Sequence, residues 1–144
     1  MIFDTYIAVI RNSVGSKMFR NFYVKINGKK KDIMRNGDLS CAFFVSSILV
    51  LFKLIKDGHG TVNLTAEDMK KSGWKIIKKP KIGSVIIWEK IVFENRESNR
   101  HIGFYIGKNM AISTNSETGL IYKHHFTFNN KRKIDLIFAS NKLN

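Results

Sequence analysis

The chain has one cysteine, Cys41, and one proline, Pro80. A single thiol excludes an internal disulfide framework and any multi-cysteine zinc site, so packing alone has to hold the fold. Acidic residues are scarce as well: 11 Asp and Glu stand against 25 Lys and Arg, a formal charge of +14 at pH 7. The basic residues cluster at 29–31, 78–81 and 131–133. Such a field draws polyanions, whether nucleic acid, anionic headgroups or acidic wall polymers. The clusters carry no nucleic-acid motif or aromatic stacking pattern, and a solvated lysine-rich surface is their simplest reading. Long hydrophobic runs are missing too. Residues 42–55 are apolar over about fourteen positions but are broken by Ser46, Ser47 and Lys53. That is short of the roughly 18 to 20 residues a membrane span needs, so the run reads as a buried core helix. No basic n-region and apolar h-region open the chain, so no secretory leader is read, and localisation stays open between cytoplasm and an unrecognised export route.

What is present is globular. A length of 144 residues with 44% hydrophobic side chains fits one domain, 1–144. Residues 1–36 read as an N-terminal helical region, with a helix over 2–11, an ambiguous stretch over 18–26 and a turn at Asn27-Gly28. Residues 37–57 read as a helix, with Asp38 or Ser40 as N-cap and Asp57-Gly58 as the stop. It is apolar on nearly every face and therefore has to be the central helix, wrapped by other elements. A short helix is expected from Thr65 to Gly73. The texture then changes: 83–89, 101–106, 110–114, 120–126 and 134–139 are five extended candidates separated by turn residues. Helices followed by a meander over 83–140 predict an α+β fold with an antiparallel sheet of about five strands.

Cys41 stands where the central helix begins, at the positive end of the peptide dipole, a position that favours thiolate. A nucleophile needs a base, and His101 opens the extended run His101-Ile102-Gly103-Phe104-Tyr105-Ile106-Gly107. If Gly107-Lys108-Asn109 forms the hairpin loop, Ile106 faces Met110, Gly103 faces Ser113 and His101 faces Asn115. Alternation then puts His101, Tyr105, Ser113 and Asn115 on one side of the sheet and Ile102, Phe104 and Ile106 on the other. Gly103 leaves room for Ser113 to approach the imidazole. Nucleophile, base and polar orienter are the minimum set for thiol-based acyl transfer. Taken singly, a cysteine beside an apolar helix is most often a small buried hydrophobe, and a histidine beside a strand is usually just packed.

Three blocks in order carry a resemblance. Gly-Asp-Leu-Ser-Cys-Ala-Phe-Phe-Val at 37–45 resembles the nucleophile block of the NlpC-type and CHAP-type cell-wall hydrolases. Lys-Pro-Lys-Ile-Gly-Ser-Val-Ile-Ile-Trp at 79–88 is similar to their Pro-Gly-Asp-Val-Val-Phe-Trp strand, and His-Ile-Gly-Phe-Tyr-Ile-Gly at 101–107 to their histidine strand. The resemblance implies a papain-like fold and hydrolysis of peptide or amide bonds in peptidoglycan without a metal. It makes Cys41 the nucleophile and His101 the general base, and its third polar residue falls on Ser113, with Asn115 as substitute. The Cys41 backbone N–H, with Ser40 as a second donor, would stabilise the oxyanion.

No cofactor or metal is assigned. His124 and His125 are adjacent on a strand and point to opposite faces, which excludes joint chelation, and His59 reads as a loop residue. Trp74 and Trp88 read as packing anchors, with Trp88 placed to border the cleft. The segment 89–100 reads as a solvated loop before a cleft wall. A transferase or deamidase would use the same thiol and imidazole. The competing class is a catalytically silent papain-like module that binds an acidic polymer or nucleic acid through its basic surface.

Overall fold

The computed structural model describes residues 2–35, 39–91 and 100–144. Asp38, the alternative N-cap, and most of the 89–100 loop lie outside the described residues. Among the described residues the chain is α+β, with helices α1 (Ile2–Asn12), α2 (Cys41–Leu51) and α3 (Val62–Lys71). A hairpin, β1 (Tyr23–Ile26) and β2 (Lys29–Asp32), forms a separate two-stranded sheet. The main sheet contains β3 (Lys75–Ile76), β4 (Val85–Trp88), β5 (His101–Gly107), β6 (Met110–Thr114), β7 (Ile121–His125) and β8 (Ile134–Ala139). Its order is β3-β8-β4-β5-β6-β7, and every pairing is antiparallel.

The expectation of about five strands is corrected to six in the main sheet and two in the hairpin. The sixth, β3, is two residues long and borrows its regularity from β8. The helical assignment for 1–36 is corrected likewise: among the described residues there only α1 is helical, and Asn27 (φ 49°) and Gly28 (φ 78°) close the β1–β2 turn.

The central helix is shorter than 37–57. Lys53 takes a left-handed conformation (φ 55°), and the Leu54 amide returns to the Leu49 carbonyl at 2.8 Å. This capping turn swings Leu54 and Ile55 into the core instead of extending the helix. The α3 cap is Thr61, whose hydroxyl accepts from Leu64 N, and not Thr65, which lies buried within the helix. Between them, Asp68 accepts from the Lys56 and Asp57 amides and the Ser72 hydroxyl, each at 3.0 Å, and meets His59 Nε2 at 2.7 Å. Burial pushes the Asp68 carboxyl up, but these hydrogen bonds together outweigh it and hold it at about 2. His59 is thus the clasp of the α2–α3 connection, more than the plain loop residue expected.

Strand alternation divides the packing into two faces. Ile102, Phe104, Ile106 and Ile112 face the helices, where Phe44 of α2 meets Phe104 edge-on at 5.5 Å and Tyr6 of α1 meets it at 5.9 Å. Burying a side chain such as Phe44 contributes about 2 to 3 kcal/mol. The opposite face gathers Ile86, Trp88, Tyr105, Ala111 and Ile137, with Phe126 and Phe128 against them. No helix among the described residues is long and apolar enough to cross a membrane.

Candidate active site

The site is built on the second face. Direct pairing sets Trp88 beside His101, Ile86 beside Gly103, Ser113 beside Tyr122 and Ala111 beside His124. These residues therefore project to one side. The expected β5–β6 register holds at Phe104–Ile112 and Tyr105–Ala111, then slips so that Gly107, not Ile106, faces Met110. The turn is tighter than assumed: Lys108 (φ 51°) and Asn109 (φ 60°) form it, Gly107 (φ 88°) pairs with Met110, and Ile106 is the extra, unpaired residue of a bulge. At Gly103 a Cβ would lie 2.7 Å from the Ile112 carbonyl oxygen and 2.8 Å from Ser113 Cβ. Only glycine lets Ser113 close on the imidazole.

Ser113, fully buried, joins two histidines. Its Oγ lies 2.9 Å from His101 Nε2 and 2.7 Å from His124 Nε2. His124 Nδ1 lies 2.8 Å from the His125 carbonyl oxygen. Burial first, with the charges of His125 and Arg132, lowers His124 to about 4 despite its carbonyl partner. Burial, Arg132 and His124 hold His101 well below the usual imidazole range. Both rings are neutral at pH 7, and their tautomers follow. A carbonyl oxygen only accepts, so His124 Nδ1 carries its hydrogen and Nε2 is a lone pair. The Ser113 hydroxyl then donates to His124 Nε2, and His101 Nε2–H donates to Ser113 Oγ. The lone pair of His101 is left on Nδ1, which makes that nitrogen the base.

Aromatic rings enclose this relay. Phe128 stacks on His124 at 4.0 Å with 16° between planes, and Tyr122 lies 4.8 Å from the same ring. Trp88, fully buried, sits 5.4 Å from His101 and donates its Nε1–H to the Phe126 carbonyl at 2.8 Å.

No protein-family model matches the chain, nor does any curated protein.

Cys41 is the first residue of α2 and half-buried. Burial pushes its thiol up. The backbone N–H groups of Ile102, Ala42 and Cys41 itself, together with the Arg132 charge, pull the other way without winning. The net direction is opposite to what the helix position alone suggests. Contact with the Ile102 amide places the sulfur against β5, one residue from His101. The groups that act on the thiol are backbone N–H groups and the Arg132 charge, and the His101 ring is not among them. Ser40 occupies the N-cap position, but its side chain does not cap the helix. Asn115 does not join the site: its Oδ1 accepts from the Glu117 and Thr118 amides at 2.9 and 3.4 Å and shapes the β6–β7 turn.

Two participants escaped the sequence reading. His124 was weighed only as half of a metal pair. Had Asn115 been read as opening a turn closed by Leu120, counting back would have set Ala111 opposite His124 and its ring beside Ser113. Arg132 sat inside a charge run with no signal of its own. Among the described residues no group of three His, Cys, Asp or Glu could hold a metal ion.

Proposed function

We propose that the protein is a cysteine hydrolase, a peptidase or amidase, with Cys41 as nucleophile and His101 as general base. Ser113 and His124 fix the base's tautomer, and the scaffold is the papain-like one of the NlpC-type and CHAP-type hydrolases. The observation that carries this reading is the chain from the His125 carbonyl through His124 and Ser113 to His101. It is a fully oriented device whose one outcome is a lone pair on His101 Nδ1, on the residue before the amide that touches the Cys41 thiol.

In the reaction His101 Nδ1 takes the Cys41 proton as sulfur attacks the carbonyl carbon, forming a C–S bond and an oxyanion. Because the resting thiol and imidazole are both neutral, proton transfer accompanies attack rather than preceding it. The Cys41 N–H at the helix start would stabilise the developing oxyanion; one such donor is worth about 3 kcal/mol. Collapse breaks the C–N bond, and the amine leaves with the proton from His101. Water, deprotonated by the same nitrogen, then cleaves the thioester to carboxylate and thiol. The amide substrate class follows from the resemblance: peptide amides such as those of peptidoglycan.

The test is p-nitrophenyl acetate. A stoichiometric burst with acetyl mass on Cys41 is expected, abolished in Cys41→Ala and slowed about 10²-fold or more in His101→Ala. A burst equally fast in His101→Ala would sink the reading.

One observation favours the second reading, a catalytically silent module for an acidic polymer. On the exposed β1–β2 hairpin Lys25 lies directly opposite Lys30, with Lys29 and Lys31 exposed beside them. Like charges facing each other cost stability that a polyanion would offset. That reading requires salt-sensitive polyanion binding that survives Cys41→Ala, together with no burst.

A further inference from the structure

The β1–β2 hairpin is the part of the chain that the core does least to explain. Six of its eight strand residues are exposed: Tyr23, Lys25, Ile26, Lys29, Lys30 and Lys31. Two-stranded hairpins are marginal by themselves, and this one sets Lys25 directly opposite Lys30. Its base is nevertheless fixed. Asp32 accepts from the Phe22 and Met34 amides at 2.9 and 3.0 Å and from Asn21 Nδ2 at 2.7 Å, and Ile33 N donates to the Phe22 carbonyl at 2.9 Å. Phe22 meets Phe43 of α2 edge-on at 5.1 Å, and Phe19 meets the same ring at 5.9 Å. The hairpin is thus an arm, anchored at its base to the first turn of the helix that begins with Cys41 and turned at its tip by Asn27 and Gly28.

The arm mixes two chemistries residue by residue. Directly paired residues share a face, so one face carries Tyr23, Lys25 and Lys30 and the other Val24, Ile26, Lys29 and Lys31. On the first, Lys30 Nζ lies 4.5 Å from the centroid of the Tyr23 ring. On the second, Ile26 is directly opposite Lys29, and Val24 is opposite Lys31. Next to Phe19, Met18 is 79% exposed. None of these lysines takes part in a described ion pair. A hydrated polyanion would engage the lysines and leave Ile26 and Met18 in water, and Lys30 occupies a face of the Tyr23 ring on which a base would stack. A lipid interface uses both chemistries: apolar side chains enter the boundary between headgroups and acyl chains, lysine stems lie along them, and the ammonium groups reach back to phosphate. An exposed apolar arm flanked by lysines therefore fits a bilayer better than a polymer.

We propose that the β1–β2 arm is a docking surface for an anionic phospholipid bilayer, with Lys25, Lys29, Lys30 and Lys31 on the headgroups and Tyr23, Ile26 and Met18 in the interface. The contact is peripheral and reversible. It goes beyond the hydrolase and polyanion readings, because it holds the Cys41 end of α2 near a membrane whether or not the thiol reacts. Each lysine near such a surface raises affinity about fivefold, so removing three costs about 10²-fold. Salt screens that part and leaves the apolar part, which separates the two contributions.

Co-sedimentation of the full chain with vesicles tests this. Wild-type protein should bind vesicles of phosphatidylglycerol and phosphatidylcholine in equal parts far more tightly than vesicles of phosphatidylcholine alone. Lys29→Gln, Lys30→Gln and Lys31→Gln together should weaken that binding about 10²-fold, and Ile26→Ser should weaken it about tenfold at low and at high salt. Lys70→Gln with Lys71→Gln, on the exposed end of α3, should retain it. Equal binding to both vesicles, binding to neither, or anionic binding that survives the triple lysine variant overturns the arm; the first two need no variant to fold. Anionic binding unchanged in Ile26→Ser, or lost to an equal phosphate concentration of a single-stranded oligodeoxynucleotide, overturns the bilayer as partner and gives the arm to a soluble polyanion. The p-nitrophenyl acetate burst reads the hydrolase separately: vesicle binding without a burst leaves the arm standing, and a burst without vesicle binding overturns the arm alone.

Discussion

Replacing His124 by phenylalanine isolates the relay from the packing. The new ring keeps the stack on Phe128 at 4.0 Å and the contacts with Tyr122 and Trp88 at 4.8 and 5.7 Å. Only two hydrogen bonds are lost, to Ser113 Oγ and to the His125 carbonyl, and that carbonyl still accepts from Phe128 N at 2.9 Å. The cost in stability is therefore about 1 to 2 kcal/mol. The consequence for chemistry is larger. Ser113, fully buried, then has one acceptor left for its hydroxyl hydrogen, His101 Nε2. Accepting there requires a lone pair on Nε2, which moves the ring hydrogen to Nδ1 and removes the base. A misplaced tautomer costs about 10⁴ in Ser-His-Asp enzymes, and general-base assistance is worth about 10² to 10⁴, so acylation should slow by about 10² to 10⁴ with the fold intact. Burst kinetics give the rate, and nitrogen-15 NMR of the imidazole gives the tautomer directly. His124→Gln, whose amide oxygen can accept from Ser113, should recover part of the loss. Acylation within about twofold of wild type, a fraction of a kcal/mol, would refute the argument, as would a His101 ring still protonated at Nε2 in the phenylalanine variant.

Gly103→Ala should destabilise the fold by about 1 to 3 kcal/mol in urea melts, since its Cβ would lie 2.7 Å from a backbone oxygen, and should also abolish the burst by parting Ser113 from His101; a burst at wild-type rate would refute the close approach. Stability should depend on pH with a definite sign. The folded pKa of His124, about 4, is below its unfolded value of 6.5, so the unfolded chain binds the extra proton, and stability present above 6.5 is lost as pH falls toward 4, by up to about 3 kcal/mol. His101 shifts in the same direction. Asp68, held at about 2 against 3.8, adds a second loss as pH falls below 3.8. Urea midpoints measured from pH 7 to 3 should show the first decline in wild type and lose part of it in His124→Phe; a midpoint flat between 6.5 and 4 would contradict it.

What could be read in the sequence follows from what is local. The His101–Ser113 approach was legible because a short hairpin, strict alternation and one glycine fix the geometry: the turn is one residue tighter than assumed, and the bulge before Gly107 compensates so that the pairs at Phe104 and Tyr105 keep the expected register. The β1–β2 turn was legible at Asn27-Gly28, yet its strands were not, because Lys29 to Lys31 offer no apolar alternation to read. β3 was invisible for a related reason: two residues have no period, and their pairing partner β8 lies some sixty positions away. The helix ends failed where a lysine took the left-handed role expected of glycine, at Lys53, and where Thr61 capped four residues before Thr65.

The electrostatics were illegible for a different reason. A helix N-terminus argues for thiolate, but the sign of the Cys41 shift depends on how deeply the thiol is buried, and that is set by the packing of α2 against β5. The same holds for Arg132: its position in a lysine-rich run reads as solvated surface, and only the three left-handed residues before it, Phe128, Asn129 and Asn130, bring its Nε to the Glu89 carbonyl. A half-buried thiol pushed up by burial and two imidazoles, one buried and one half-buried, both held low, leave the site poised short of ionisation. If His101 is the base, proton transfer and attack have to coincide, so what the relay supplies is the orientation of the imidazole and not a ready-made thiolate.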